Sequence, residues 1–210
     1  METIIAYLKQ KYHPLGIVVY GSFADGSNNV NSDFDALLIT ESGEKGHDNS
    51  RINGIELDVW IRPKYLFQKE NKINFEDYIQ LENGKVVLDK DGTASKLLNA
   101  VQEYVDSYIP KSWEENRVNV EWCEKMLLRT RRNDTEGYFR WHWLLVDSLE
   151  IYYDICGKRY KGPKKSISIL QTLDTKAAEI YGKALCEMNY EALEEWIGYL
   201  RKKINEDLKV

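Results

Sequence analysis

Cysteine, histidine and proline are scarce in this 210-residue chain, at three, three and four residues. Cys123, Cys156 and Cys186 are an odd number, lie far apart and form no CxxC pair, which speaks against a redox or metal role. They read as buried free thiols. His13, His47 and His142 are equally scattered and make no metal motif. No apolar run reaches the ~18 residues of a membrane-crossing helix. The start, METIIAYLKQKY, spaces Ile4, Ile5, Leu8 and Tyr12 as a helix does and lacks the basic start and apolar block of a signal peptide. The expectation is a cytoplasmic protein with no membrane partner. A basic excess is also missing. The net charge is −5, and residues 1–92 carry 15 acidic against 10 basic side chains, while 93–210 carry 19 of each. No basic patch or stripe marks a nucleic-acid partner.

What is present changes character near residue 92. Before it, short β-like runs alternate with turns: Leu15–Tyr20, Phe34–Thr40, Ile55–Ile61 and Lys85–Leu88. ESGEKGHDNSRING between the second and third reads as a hairpin connection. Pro63 is expected to open a helix through Lys69. After Asp91-Gly92 the apolar spacing turns helical, over Thr93–Ser107, from an N-cap at Ser112, over Tyr138–Cys156, over 164–171 and 174–186, and over Tyr190–Leu208. The expected fold is α+β, with a small mixed-sheet domain at 1–92 and an all-α helical bundle at 93–210.

Asp33 and Asp35 stand two apart at the head of an apolar strand, so both project from one face. Two such carboxylates repel each other, and burying them unpaired costs several kcal/mol. A divalent cation removes that cost, and Mg²⁺ prefers oxygen ligands and keeps room for phosphate. Asp-x-Asp alone reads first as turn punctuation before a strand. Gly21-Ser22, directly after an apolar strand, adds a second element: a backbone that can approach a ligand closely, with a hydroxyl and N–H groups that suit phosphate.

Gly21-Ser22 followed by Asp33-Phe34-Asp35 resembles the signature of the DNA polymerase β-like nucleotidyltransferase superfamily. Asp58, in Glu56-Leu57-Asp58-Val59-Trp60, fits the third carboxylate of that pattern, with Glu56 as the runner-up. The resemblance spans residues 15–61. It implies two Mg²⁺ ions held by Asp33, Asp35 and Asp58, ATP or another NTP as co-substrate, a β/γ-phosphate grip by Gly21 and Ser22, and transfer of a nucleoside monophosphate to a hydroxyl with release of pyrophosphate.

The helical half is expected to read the acceptor. Trp143, Asp147, Glu150 and Asp154 form one stripe, either a solvated face or the wall of a pocket for a cationic, hydroxyl-rich molecule. Most tryptophans, Trp113, Trp141 and Trp196 among them, sit at core spacing, whereas Tyr138 and Trp143 could meet a base or sugar. The two-part layout is similar to the kanamycin-type antibiotic nucleotidyltransferases. This implies Asp147 as general base, an aminoglycoside- or lincosamide-like acceptor, a role in antibiotic resistance and a homodimer. Lys158 and Lys164, in the basic turn with Arg159 and Lys165, either reach the nucleotide phosphates or lie on plain surface. Two rivals remain: an antitoxin-like enzyme modifying a protein or RNA partner, and a non-catalytic nucleotide-binding module. The HEPN toxin motif of Arg followed by His four to six residues later has no match here, and no carboxylate of the set is missing.

Overall fold

A computed structural model describes residues 1–68 and 72–206. The chain divides into two compact units, Met1–Tyr108 and Ile109–Val210. The first is built on a mixed sheet of six strands, β1 (Gly16–Val19), β2 (Phe34–Thr40), β3 (Gly46–Asp48), β4 (Arg51–Ile52), β5 (Ile55–Pro63) and β6 (Lys85–Asp89). Its order is β3-β5-β2-β1-β6, with β4 paired to β5 off this path. Four near-continuous apolar positions make β1 a buried centre strand, as a strand covered on both faces requires. One face packs on α1 (Glu2–Tyr12) through Ile4 and Leu8. The other packs on α3 (Thr93–Asp106) through Ala94, Leu97 and Val101, together with the 3₁₀ segment Phe75–Leu81.

The stretch expected to be a plain hairpin connection holds two strands instead. β2 and β5 run parallel, and β3 and β4 each pair antiparallel with β5. Asn53 and Gly54 both have positive φ, 51° and 82°, which is the tight-turn geometry that an Asn-Gly pair supplies between β4 and β5. β3 is tied to α1 by a buried carboxylate, Asp48. It accepts from Tyr12 at 2.7 Å, Lys11 at 3.1 Å and the Ser50 N–H at 2.9 Å. Those bonds outweigh its burial and hold its pKa well below the usual carboxylate range.

Pro63 ends β5 and is at the same time the N-cap of a short 3₁₀ turn, not of a longer α-helix. That turn is Lys64–Phe67, and Lys69 lies outside the described residues. The helix after residue 92 likewise belongs to the sheet. Its apolar face closes the first core, so the units part between Tyr108 and Ile109, not at the change of texture.

The second unit consists of α4 (Trp113–Thr130), α5 (Thr135–Ile155), α6 (Gly162–Leu173), α7 (Thr175–Glu187) and α8 (Tyr190–Glu206); Leu208 lies outside the described residues. Ser112 caps α4 with a full capping box to Glu115, and Asp134 and Asp174 cap α5 and α7. Trp196 is fully buried at the centre and donates from Nε1 to Ser148 Oγ at 2.9 Å. Trp141 is buried with it and Trp113 is half-buried, donating to the Ile204 carbonyl at 3.1 Å. Of the thiols, Cys123 is buried, which pushes its pKa up to about 12. Cys156 is half-buried, and Cys186 is exposed on the outer face of α7, contrary to the expectation for a buried thiol. No described helix is long and apolar enough to cross a membrane.

Candidate metal and nucleotide site

The parallel register of β2 and β5 sets Asp35 directly beside Asp58. Paired residues on neighbouring strands point to the same face, so the two carboxylates meet. Asp33, one residue before β2, joins them: ligand oxygens of Asp33, Asp35 and Asp58 all lie within 4.8 Å of one another. Asp33 is exposed and the other two half-buried. Three carboxylates so close repel strongly unless a cation is shared among them, and oxygen donors are what a hard divalent ion takes. The donor set therefore fits the metal that the sequence implied. The runner-up, Glu56, is exposed and pairs with Arg51 at 3.2 Å, outside the cluster.

Gly21 follows β1 and has φ +64°, a left-handed backbone that side chains avoid. The ladder extends past the strand, with the Tyr20 N–H donating to the Asp35 carbonyl at 3.1 Å. This brings Gly21 onto Asp35 so closely that a Cβ at position 21 would collide with Asp35 Oδ2. The glycine thus makes room for a carboxylate of the triad as well as for any ligand. Ser22, buried, starts the single turn α2 (Ser22–Asp25), which Gly26 ends in the left-handed conformation.

One neighbour of the triad was not legible in the sequence. His47, on β3, donates from Nε2 to Asp58 Oδ1 at 2.6 Å. Its ring also lies 4.4 Å from that of Trp60. Three polar residues carry no strand pattern of their own; pairing His47 with Trp60 in the β3–β5 register is what brings the imidazole to Asp58.

The remaining expected residues lie in the second unit. Trp143, Asp147, Glu150 and Asp154 share helix α5, but in different environments. Trp143 is 42% exposed and meets Trp122 edge-on at 5.3 Å. Glu150 is exposed. Asp147 is half-buried, and burial raises its pKa despite a hydrogen bond from Trp143. Asp154 is buried and ion-paired with Lys111 at 2.6 Å, so it is held inside the bundle rather than on a solvated stripe. Tyr138, the other ring expected to meet a base or sugar, is 58% exposed. Lys158 is exposed after α5 and Lys164 is exposed in the first turn of α6.

Residues 1–82 match the model of the nucleotidyltransferase-domain family. The match contains the whole of Gly21-Ser22, Asp33, Asp35 and Asp58, supports the superfamily resemblance and stops short of the helical unit. No curated protein matches the chain. Among solved structures, a nucleotidyltransferase-like protein from Exiguobacterium sibiricum 255-15 is similar at 13% identity and a TM-score of 0.41, over 98% of this chain and 73% of that one.

Proposed function

We propose that the protein is a nucleotidyltransferase that moves a nucleoside monophosphate from an NTP, with ATP as the first candidate, to a hydroxyl of a small molecule. The observation that carries this reading is the convergence of three carboxylate oxygens within 4.8 Å, in a unit whose residues 1–82 match a nucleotidyltransferase domain.

In this reading Asp33, Asp35 and Asp58 hold divalent magnesium, which when bound supplies charge neutralisation for the phosphates and a more acidic acceptor hydroxyl. Gly21 and Ser22 receive the β and γ phosphates, where close backbone approach and N–H groups suit an anion. The acceptor oxygen forms a bond to the α phosphorus, the α–β anhydride bond breaks, and pyrophosphate leaves. The acceptor's proton goes to a base, for which Asp147 is the candidate. A half-buried carboxylate with a raised pKa is a better base than a fully solvated one. The acceptor class best suited to the exposed Trp143 and the acids Asp147 and Glu150 is cationic and hydroxyl-rich, as aminoglycosides are.

The test is incubation with Mg²⁺, each NTP in turn and a panel of aminoglycosides and lincosamides, read by mass spectrometry. The expected result is a nucleotide-sized mass gain on one acceptor, absent with the Asp33→Asn, Asp35→Asn double variant. Transfer by that variant overturns the metal assignment. Labelling of a protein or RNA instead of any small molecule moves the acceptor to the antitoxin-like class.

A further inference from the structure

The rows of β2 and β5 continue past the triad on the same face. Asp35 sits beside Asp58; two residues on, Leu37 sits beside Trp60; two further, Ile39 sits beside Arg62. Each step is about 7 Å along the strands. The second row forms, with Tyr20, the floor of a pocket of about 300 Å³. That is at the small end of the roughly 300–1,000 Å³ typical of small-molecule sites. Its rim is Arg62, Tyr78 and Gln80, with Lys45 and Asp77 contributing charge. Tyr20 joins pocket to triad: its N–H donates to the Asp35 carbonyl at 3.1 Å.

The walls are already fixed. Arg62 donates to the Ile61 carbonyl at 2.9 Å and the Gly46 carbonyl at 3.2 Å, and its guanidinium lies 4.9 Å from the centre of the Trp60 ring. Tyr78 packs edge-on against Phe67 at 5.5 Å. The Gln80 amide is tied to the Asp77 carbonyl at 3.1 Å. Little ordering is left for a ligand to induce, which favours affinity. Trp60 nonetheless stays 38% exposed.

The lining selects among ligand classes. Two cations against one carboxylate disfavour a polycationic acceptor. Three aromatic rings, of Tyr20, Trp60 and Tyr78, with an amide and a carboxylate suit a flat heteroaromatic with hydrogen-bonding edges. The pocket lies one strand step from the carboxylates, a distance a ribose spans. We propose that it receives the nucleobase of the NTP, so that Trp60, Tyr78 and Gln80 decide which nucleotide is used. This rests on the nucleotidyl-transfer reading and adds to it the site of nucleotide choice.

The experiment is calorimetric titration with Mg·ATP and, separately, with Mg·tripolyphosphate, which has the phosphates and no nucleoside. Wild type is compared with Trp60→Ala and with Gln80→Ala, whose exposed side chain can be removed without opening the core; circular dichroism and melting check folding. The expected result is ATP binding weakened about tenfold by Trp60→Ala and measurably by Gln80→Ala, with tripolyphosphate binding unchanged in Gln80→Ala, which leaves the Trp60–His47 contact beside Asp58 in place. Equal loss for both ligands in Gln80→Ala, or loss for neither, overturns the proposal, as does unchanged ATP affinity with weakened acceptor binding. A wild type that binds neither ligand overturns nucleotidyl transfer itself. A wild type that binds ATP as well as both variants do overturns only the nucleobase pocket.

Discussion

Gly21 and Asp35 are packed so tightly that no side chain larger than hydrogen fits at position 21 without striking the Asp35 carboxylate. The phosphate-side turn and the metal-side strand are therefore one structural unit: the glycine that frees the turn also seats the aspartate. Gly21→Ala combines this collision with a φ of +64°. It is expected to cost about 1–3 kcal/mol of stability, a drop of several degrees in melting temperature. It should also displace Asp35 and so reduce metal affinity. A variant that melts like wild type and binds metal equally would show that the turn and the carboxylate are independent.

His47 should matter through Asp58. A hydrogen bond at 2.6 Å fixes the carboxylate's orientation. Partners that orient a metal ligand typically contribute about 10- to 100-fold in metal affinity or activity. His47→Ala is expected to weaken Mn²⁺ binding within that range while leaving the fold intact, since the side chain is exposed. His47→Gln, which can still donate, should recover part of the loss. Equal loss in both variants would argue against an orienting bond.

Asp174 links stability of the helical unit to pH. It caps α7 through the Ala177 N–H at 3.0 Å and accepts from Tyr199, Tyr152 and Lys203 at 2.8, 3.0 and 3.2 Å. Burial opposes ionisation, but these bonds prevail and bring its pKa down to about 2. The unfolded value is about 3.9, so the stabilisation is on the order of 2 kcal/mol, complete above roughly pH 5 and lost as pH falls toward 2. Denaturant melts of Asp174→Asn are expected to lack this acid-side loss. The same loss in wild type and variant would place the acid sensitivity elsewhere.

Ser112→Ala removes the side-chain acceptor of the α4 capping box. The expected cost is about 1 kcal/mol, read as a lowered unfolding midpoint with an unchanged slope. A changed slope would mean that the cap also shapes the unfolded ensemble.

The sequence was most readable where local chemistry and global fold agree. The apolar runs of β1 and β2, the Ser112 cap and the helical stripes of α5 and α8 each follow from side-chain periodicity. Asp33 and Asp35 were legible because alternation along one strand dictates their common face. Asp58 needed a partner strand, and its choice over Glu56 came from family resemblance rather than from geometry. What stayed hidden depends on register. β3 is three residues long and polar, so its pairing with β5 leaves no pattern, and with it went His47. The change of texture at residue 92 does not say which unit α3 joins, because an amphipathic helix reads the same whether its partner is a sheet or other helices; packing shows that α3 belongs to the sheet. Asp154 reads as one carboxylate in a stripe, and its ion pair with Lys111, 43 residues away in the chain, is a tertiary fact.

The most direct test of the account is Mn²⁺ binding by calorimetry in the presence of ATP, comparing wild type with Asp33→Asn, Asp35→Asn, Asp58→Asn and Glu56→Gln. Each of the three aspartate variants is expected to weaken binding by about tenfold or more, as loss of a charged ligand should, while Glu56→Gln binds as wild type does. Wild-type affinity in the aspartate variants, or a loss in Glu56→Gln equal to that in Asp58→Asn, would contradict it.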